Sequence, residues 1–238
     1  MAKDVFETFG EYVDGVKYSG GTFTLQSQDS LKENIKIAHD HGAYVSTGGF
    51  LEKILASSNG DRALVDKYLR ACKEVGFDVI EISAGFLTIP AEDWRNLIDV
   101  VISHGLKAKP EIGIQMGAGG DTSAEELESI GTRDASWLVD RAKLFLDAGA
   151  DTIMIESEGI TENVKSYRSD VISSVTSNLP NEKVMFEGEC KMWLQPNLRS
   201  SSLCSCGSFH ISILHCSSRS KGQPFCRSFT DRSVSRRP

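Results

Sequence analysis

With 238 residues and 40% of them apolar, the chain can bury a substantial core and has room for one large domain or two small ones. The net charge of −7 is unevenly spread: residues up to Glu187 carry roughly −13, whereas Gly188 to Pro238 holds eight Lys/Arg against two acids. An acidic body argues against nucleic acid as a partner, and no run approaches the roughly twenty apolar residues of a membrane span.

In chain order, Lys3 to Gly10 is predicted to be the end of a helix, and the start, MAKDVFETFGEYVDG, lacks the basic n-region and apolar run expected of a secretory signal. Tyr12 to Tyr18 is predicted as a strand running into Ser19-Gly20-Gly21-Thr22. Ser30 to His41 follows as a helix, with Leu31, Ile35 and Ala38 on one face, Asp29 or Ser30 as cap and Gly42 as stop. Ala43 to Ser46 is a short strand leading into Thr47-Gly48-Gly49. A helix is expected over Arg62 to Val75, with Leu64, Tyr68, Leu69 and Cys72 on one stripe. Asp78 to Ser83 is a strand, and Pro90 opens a helix through Ser103.

Leu106 to Ile112 is the next strand, followed by a Gly-rich loop. A capping box at Ser123 to Glu126 starts a helix that continues to Asp147. Asp151 to Glu156 is a strand, Thr161 to Leu179 a helix, and Lys183 to Glu187 a strand. The rhythm of strand, loop, helix and glycine stop recurs about every 30 residues, the period of a βαβ unit. It implies an α/β fold with a parallel sheet of about six strands. No G-x-G-x-x-G follows the first strand, which weighs against a dinucleotide fold.

Charged residues occupy corresponding places in these strands: Lys17, Glu81, Lys109, Glu111, Glu156, Glu158 and Glu187. Strand side chains alternate, so apolar neighbours such as Val16, Ile80, Ile82, Ile155 and Phe186 face helices while the charges face inward. Inward charges near the C-terminal strand ends match the rim where TIM-barrel active sites form. Several carboxylates with one or two lysines suit metal-assisted enolate chemistry, the carboxylates holding Mg²⁺ and a lysine supplying charge or a proton. Any single Glu could instead pair with a lysine or cap a helix. The loops Ser19, Gly20, Gly21, Thr22 and Thr47, Gly48, Gly49 offer backbone N–H groups to an anion, or are simply tight turns. His39, His41 and His104 lie at helix C-termini, where the dipole explains them. Cys72 reads as core and, as the one cysteine before residue 188, fits a reducing, cytoplasmic setting.

Six segments, YVDGVKYSGGT, YVSTGG, DVIEISAGFLTIP, KPEIG, LDAGADTIMIESEGI and KVMFE, resemble the phosphosulfolactate synthase family in order and spacing from Val5 to Glu187. The resemblance implies a TIM (β/α)8-type barrel and Mg²⁺-dependent addition of sulfite to phosphoenolpyruvate, with Lys17, Glu81, Glu111 and Glu156 catalytic. It implies that the glycine loops and Lys109 bind a small anionic substrate, that Glu156 and Glu187 bind metal, and that a homo-oligomer is open. Plant members known as heat-stress-associated proteins imply a non-enzymatic alternative. After the E-x-G of KPEIG the archaeal enzymes have lysine, where this chain has Ile114-Gln115.

Against the family pattern, the first and eighth strands are expected to be missing, giving an incomplete barrel over 1–187 and impaired activity. The Ser/Cys/Arg-rich tail, 188–238, holds five of the six cysteines and shows no apolar period. It is expected to be unstructured, or aberrant sequence from intron read-through or a frame change. Its C-x-C, His210 and His215 match no common zinc spacing.

Overall fold

A computed structural model describes residues 2–83, 85–115, 123, 125 and 134–187, and the backbone of 211–214. Helix α1 (Ala2–Phe9) and a 3-10 turn (Gly10–Tyr12) lead into β1 (Gly15–Tyr18), so the first strand begins three residues later than expected. A second 3-10 segment (Ser19–Leu25) precedes α2 (Gln28–Asp40). Ser27 caps α2, its Oγ accepting from Ser30 N at 3.3 Å, rather than the expected Asp29 or Ser30. Then come β2 (Tyr44–Ser46), α3 (Phe50–Ser58), α4 (Arg62–Val75), β3 (Val79–Ile82), α5 (Ala91–Ser103) and β4 (Lys107–Ile112). The described chain resumes with α6 (Ser136–Asp147), β5 (Ile153–Ile155), α7 (Ser169–Asn178), a 3-10 turn (Asn181–Lys183) and β6 (Val184–Phe186).

Three expectations need correction. Helix α3 was not foreseen, because its N-cap, Gly49, provides no side-chain signal. On α4 Leu69 and Cys72 are buried and Tyr68 packs half-buried against the core, as expected, but Leu64 is exposed and Val65 takes its place on the buried stripe. The helix predicted from Thr161 starts only at Ser169. The amides of Ile160, Thr161 and Glu162 all donate to Ser157 O, and Asn163 adopts a left-handed φ of 54°, a conformation no α-helix continues. The capping box at Ser123 to Glu126 and the Gly-rich loop lie mostly outside the described residues.

Strands β1 to β6 pair in sequence order and in parallel, with registers such as Lys17↔Ser46, Glu81↔Lys109 and Met154↔Met185. A seventh strand, β7 (Ile211–Leu214), lies antiparallel on the outer edge of β1, within a tail for which no strand was expected. The open edge of β1 offers the unpaired N–H and C=O groups that such a segment uses.

The six parallel strands curl into a half-barrel. Laid flat at about 4.8 Å per strand, β1 and β6 would stand about 24 Å apart. Instead Lys17 on β1 meets Glu187, the residue after β6, at 3.0 Å, and Tyr44 Oη on β2 reaches Met185 Sδ on β6 at 4.0 Å. The outward residues (Val16, Val45, Ile80, Ile82, Ile112, Ile153, Ile155) form the main core with the helices, where Trp94 of α5 stacks on Phe145 of α6 at 5.0 Å. Met154, Met185 and Tyr44 form a separate apolar cluster inside the curl. Gly15 makes room for it, since a Cβ there would fall 2.4 Å from the Tyr44 ring.

Candidate active site

Lys17, Glu81, Lys109 and Glu111 share the inward parity of β1, β3 and β4, and Glu156 and Glu187 follow β5 and β6 directly. The curl brings these six side chains, drawn from five strands, to one place. Lys17 Nζ lies 2.9 Å from Glu81 Oε1, 3.0 Å from Glu187 Oε1 and 3.8 Å from Glu111 Oε2. On the other side of Glu81, Lys109 Nζ stands 3.0 Å from Oε2, a charge contact rather than an aligned hydrogen bond. Carboxylate oxygens of Glu111, Glu156 and Glu187 all lie within 4.8 Å of one another.

Burial and charge act unequally on the group. Burial disfavours the ionised forms of both Lys17 and Glu81, but their partners prevail. Lys17 is held well above its ordinary value by Glu81, Glu187 and Glu111, and Glu81 is held at about 2 by Lys17 and Lys109. Glu111 goes the other way: burial, then the neighbouring Glu81, push it well above the carboxylate range against the pull of Lys17. Glu156 rises to about 7 through burial and then Glu187, although Ser157 N and Oγ and Glu158 N donate to its Oε1 at 2.8, 3.2 and 3.3 Å. Four carboxylates and two ammoniums, all ionised, would leave an excess of two negative charges in a largely buried site, with Glu111 and Glu187 half-buried.

The glycine loops interlock at the same end of the strands. A Cβ on Gly48 would lie 2.5 Å from Tyr18 O, one on Gly49 2.4 Å from Ser83 Oγ, and one on Gly21 2.2 Å from the Phe50 ring. Close packing therefore accounts for three of the glycines. Gly20 meets nothing within 4 Å and needs glycine only for its φ of 58°. Thr47 is buried, its Oγ1 donating to Gly48 O at 3.0 Å, whereas Ser19 and Thr22 are half-buried and Gly20 is exposed. His41 and His104 are the C-caps of α2 and α5, and His39 Nε2 contacts Asp78 Oδ2 at 2.7 Å, so all three stand apart from the cluster.

Two buried polar residues escaped the sequence reading. Glu52, near the start of α3, accepts from Phe86 N at 2.6 Å, Leu87 N at 2.9 Å and Ser83 Oγ at 3.4 Å, pinning the loop after β3. Its only sequence signal was a place in an unrecognised helix. Gln115, just past β4, is 4% exposed, and its Nε2 has no hydrogen-bond partner among the described residues. Among the described residues that donor is unpaired, four residues beyond Glu111.

A profile of the family described as "(2R)-phospho-3-sulfolactate synthase (ComA)" matches residues 1–196. The chain belongs to the phosphosulfolactate synthase family. It is 36% identical over 197 residues to Protein HEAT-STRESS-ASSOCIATED 32 of Arabidopsis thaliana, covering 79% of this chain and 68% of that protein. To phosphosulfolactate synthase of Methanocaldococcus jannaschii it is 28% identical over 201 residues, covering 80% and 73%. Among solved structures it is similar to the carboxyl transferase domain of Rhizobium etli pyruvate carboxylase with pyruvate and biocytin. The TM-score is 0.53 at 11% identity, over 79% of this chain and 31% of that one. This chain thus spans about a third of that protein, and the likeness bears on the TIM-barrel-type fold alone. Among the described residues no helix is long and apolar enough to cross a membrane.

Proposed function

We propose that this chain adds sulfite to phosphoenolpyruvate in a Mg²⁺-dependent reaction, forming a carbon–sulfur bond. The observation that carries the proposal is the largely buried cluster of Lys17 with Glu81, Glu111, Glu156 and Glu187, in a family whose archaeal relatives are named phosphosulfolactate synthases. The donor set fits Mg²⁺: the offered atoms are all hard oxygens, and Glu111 and Glu156 have pKa values raised by burial and by neighbouring carboxylates, a strain that a divalent cation would relieve. Glu111, Glu156 and Glu187 would hold the ion, which supplies Lewis-acid polarisation of the substrate's oxygens when bound.

The chain's own residues do the rest. The sulfur lone pair of sulfite forms the new bond to the methylene carbon, and the π electrons move to the phosphate-bearing carbon. The Lys17 ammonium neutralises the charge that develops and delivers a proton to that carbon, later recovering one from bisulfite or solvent. Glu81 keeps Lys17 charged and fixed. The half-buried Ser19 and Thr22, exposed Gly20 and the neighbouring Gly21, Thr47, Gly48 and Gly49 border the space for the substrate's anionic groups. Among the described residues β6 has no partner on its outer edge, and a ring left unclosed there would slow turnover.

The test is sulfite-dependent consumption of phosphoenolpyruvate by the full chain, with Mg²⁺ or EDTA, the product followed by ³¹P NMR. Turnover that needs both sulfite and Mg²⁺ supports the proposal. A second reading, a non-enzymatic heat-stress protein that keeps the barrel, draws on the 36% identity to the Arabidopsis relative against 28% to the archaeal synthase. Folded protein without turnover would favour it.

A further inference from the structure

We propose that Lys109 is a positioning residue that holds Glu81 from behind and so sets where the Lys17 ammonium stands. The inference rests on the role given to Lys17 above, and it replaces the substrate-binding role expected of Lys109 from sequence. Glu81 is 1% exposed and divides its two oxygens between two lysines, Oε1 to Lys17 at 2.9 Å and Oε2 to Lys109 at 3.0 Å. Lys109, also 1% exposed, lies one inward position before Glu111 on β4 and so further from the rim. On its far side is a cavity of about 120 Å³ at the N-terminal end of the strands, bordered by Tyr44, Lys107, Thr152 and Met185. The Lys109 ammonium is thus placed between Glu81 and the barrel floor, away from the mouth where substrate would enter.

The consequence for Lys17 follows from charge. With Oε2 occupied by Lys109, Glu81 holds Lys17 through a single oxygen. Lys17 keeps its hydrogen bond to Glu187 and its approach to Glu111. Without Lys109, both Glu81 oxygens compete for the one remaining ammonium, drawing it toward the floor and away from Glu187. The carboxylate also loses half of its compensation inside a low-dielectric interior, where an uncompensated charge is costly.

The experiment compares K109M, K109R, E81Q and the E81Q/K109M pair in the full chain. K109M is expected to lower the melting temperature of the wild type, yet to cause no loss in the E81Q background, where Lys109 is itself the unpaired charge. In protein labelled with ¹⁵N-lysine, the Lys17 Nζ resonance is expected to shift in K109M and to return in K109R. With sulfite and phosphoenolpyruvate, kcat should fall about tenfold or more in K109M while KM stays within about twofold, and K109R should recover most of it. An equal stability loss in both backgrounds with an unmoved Lys17 resonance would overturn the proposal, as would a raised KM with kcat intact. Should E81Q fail to fold, K17M takes its place: Lys109 is then the sole cation on Glu81, and K109M must cost more than in the wild type. If the wild type shows no turnover, the proposed reaction falls, and the stability cycle and the resonance still decide the role of Lys109.

Discussion

Glu81 and Glu156 are both buried carboxylates at the ends of barrel strands, yet their surroundings drive them in opposite directions. Glu81, matched by two lysines and held at about 2, contributes stability that is present above its unfolded value near 4.5. That contribution is lost as pH falls through about 2, so acid unfolding should steepen across this window. E81Q leaves Lys17 and Lys109 facing a neutral amide and should cost about 3–5 kcal/mol in urea denaturation at pH 7. Glu156 is the reverse case. Its raised value of about 7 means that ionising it destabilises the folded state, and the penalty is fully developed only above pH 7. E156Q should therefore stabilise the metal-free protein at pH 8 by on the order of 1–3 kcal/mol, with the gain disappearing near pH 4.5. Calorimetric melting at the two pH values checks it. Adding Mg²⁺ to weakly buffered protein near pH 6.5 should release protons, and E156Q should reduce the number, measured with a pH electrode.

The loops after β1 and β2 act as an interlocked pair rather than as separate turns, and their glycines differ in what they tolerate. G48A meets both a φ of 60° and the Tyr18 carbonyl, 2.5 Å from the new Cβ, and neither backbone can move alone. A loss of about 2–4 kcal/mol is expected. G20A adds only the φ penalty, about 1 kcal/mol, because open space surrounds it. Urea denaturation of the two variants side by side separates packing from backbone strain. The strand and helix rhythm itself was legible from apolar spacing and glycine stops, as the agreement over Arg62–Val75 and Ala91–Ser103 illustrates. What escaped were elements whose ends depend on distant contacts: α3 starts without a capping side chain, and the stretch before α7 is diverted by three amides converging on Ser157 O.

Across the molecule, two kinds of contact hold the half-barrel curled. Ionic contacts tie β1 to the end of β6 through Lys17 and Glu187, and apolar ones tie β2 to β5 and β6 through Tyr44, Met154 and Met185. G15A would place a methyl group against the Tyr44 ring and push it out of this interior. It should cost about 1–3 kcal/mol in thermal unfolding and loosen the cluster that depends on the curl. The two edges of the parallel sheet are treated differently. The β1 edge carries β7 in antiparallel register, Val16 opposite Ile213, while among the described residues the outer edge of β6 carries nothing.

From sequence alone, the repeating βαβ units, the inward face of each strand and the identities of Lys17, Glu81, Lys109, Glu111, Glu156 and Glu187 could be determined, because side-chain alternation is a local property of extended backbone. The family could be recognised as well, since six motifs in order carry it. Which inward charges meet which was decided only by tertiary structure. The distance between Lys17 and Glu187, 170 residues apart, depends on how far the sheet curls, and that is set by side chains packed on both of its faces. The division of Glu81 between two lysines, the packing role of Gly48, and the placement of Lys109 toward the barrel floor have the same origin: each is fixed by a neighbour on another strand, whose position no local pattern encodes.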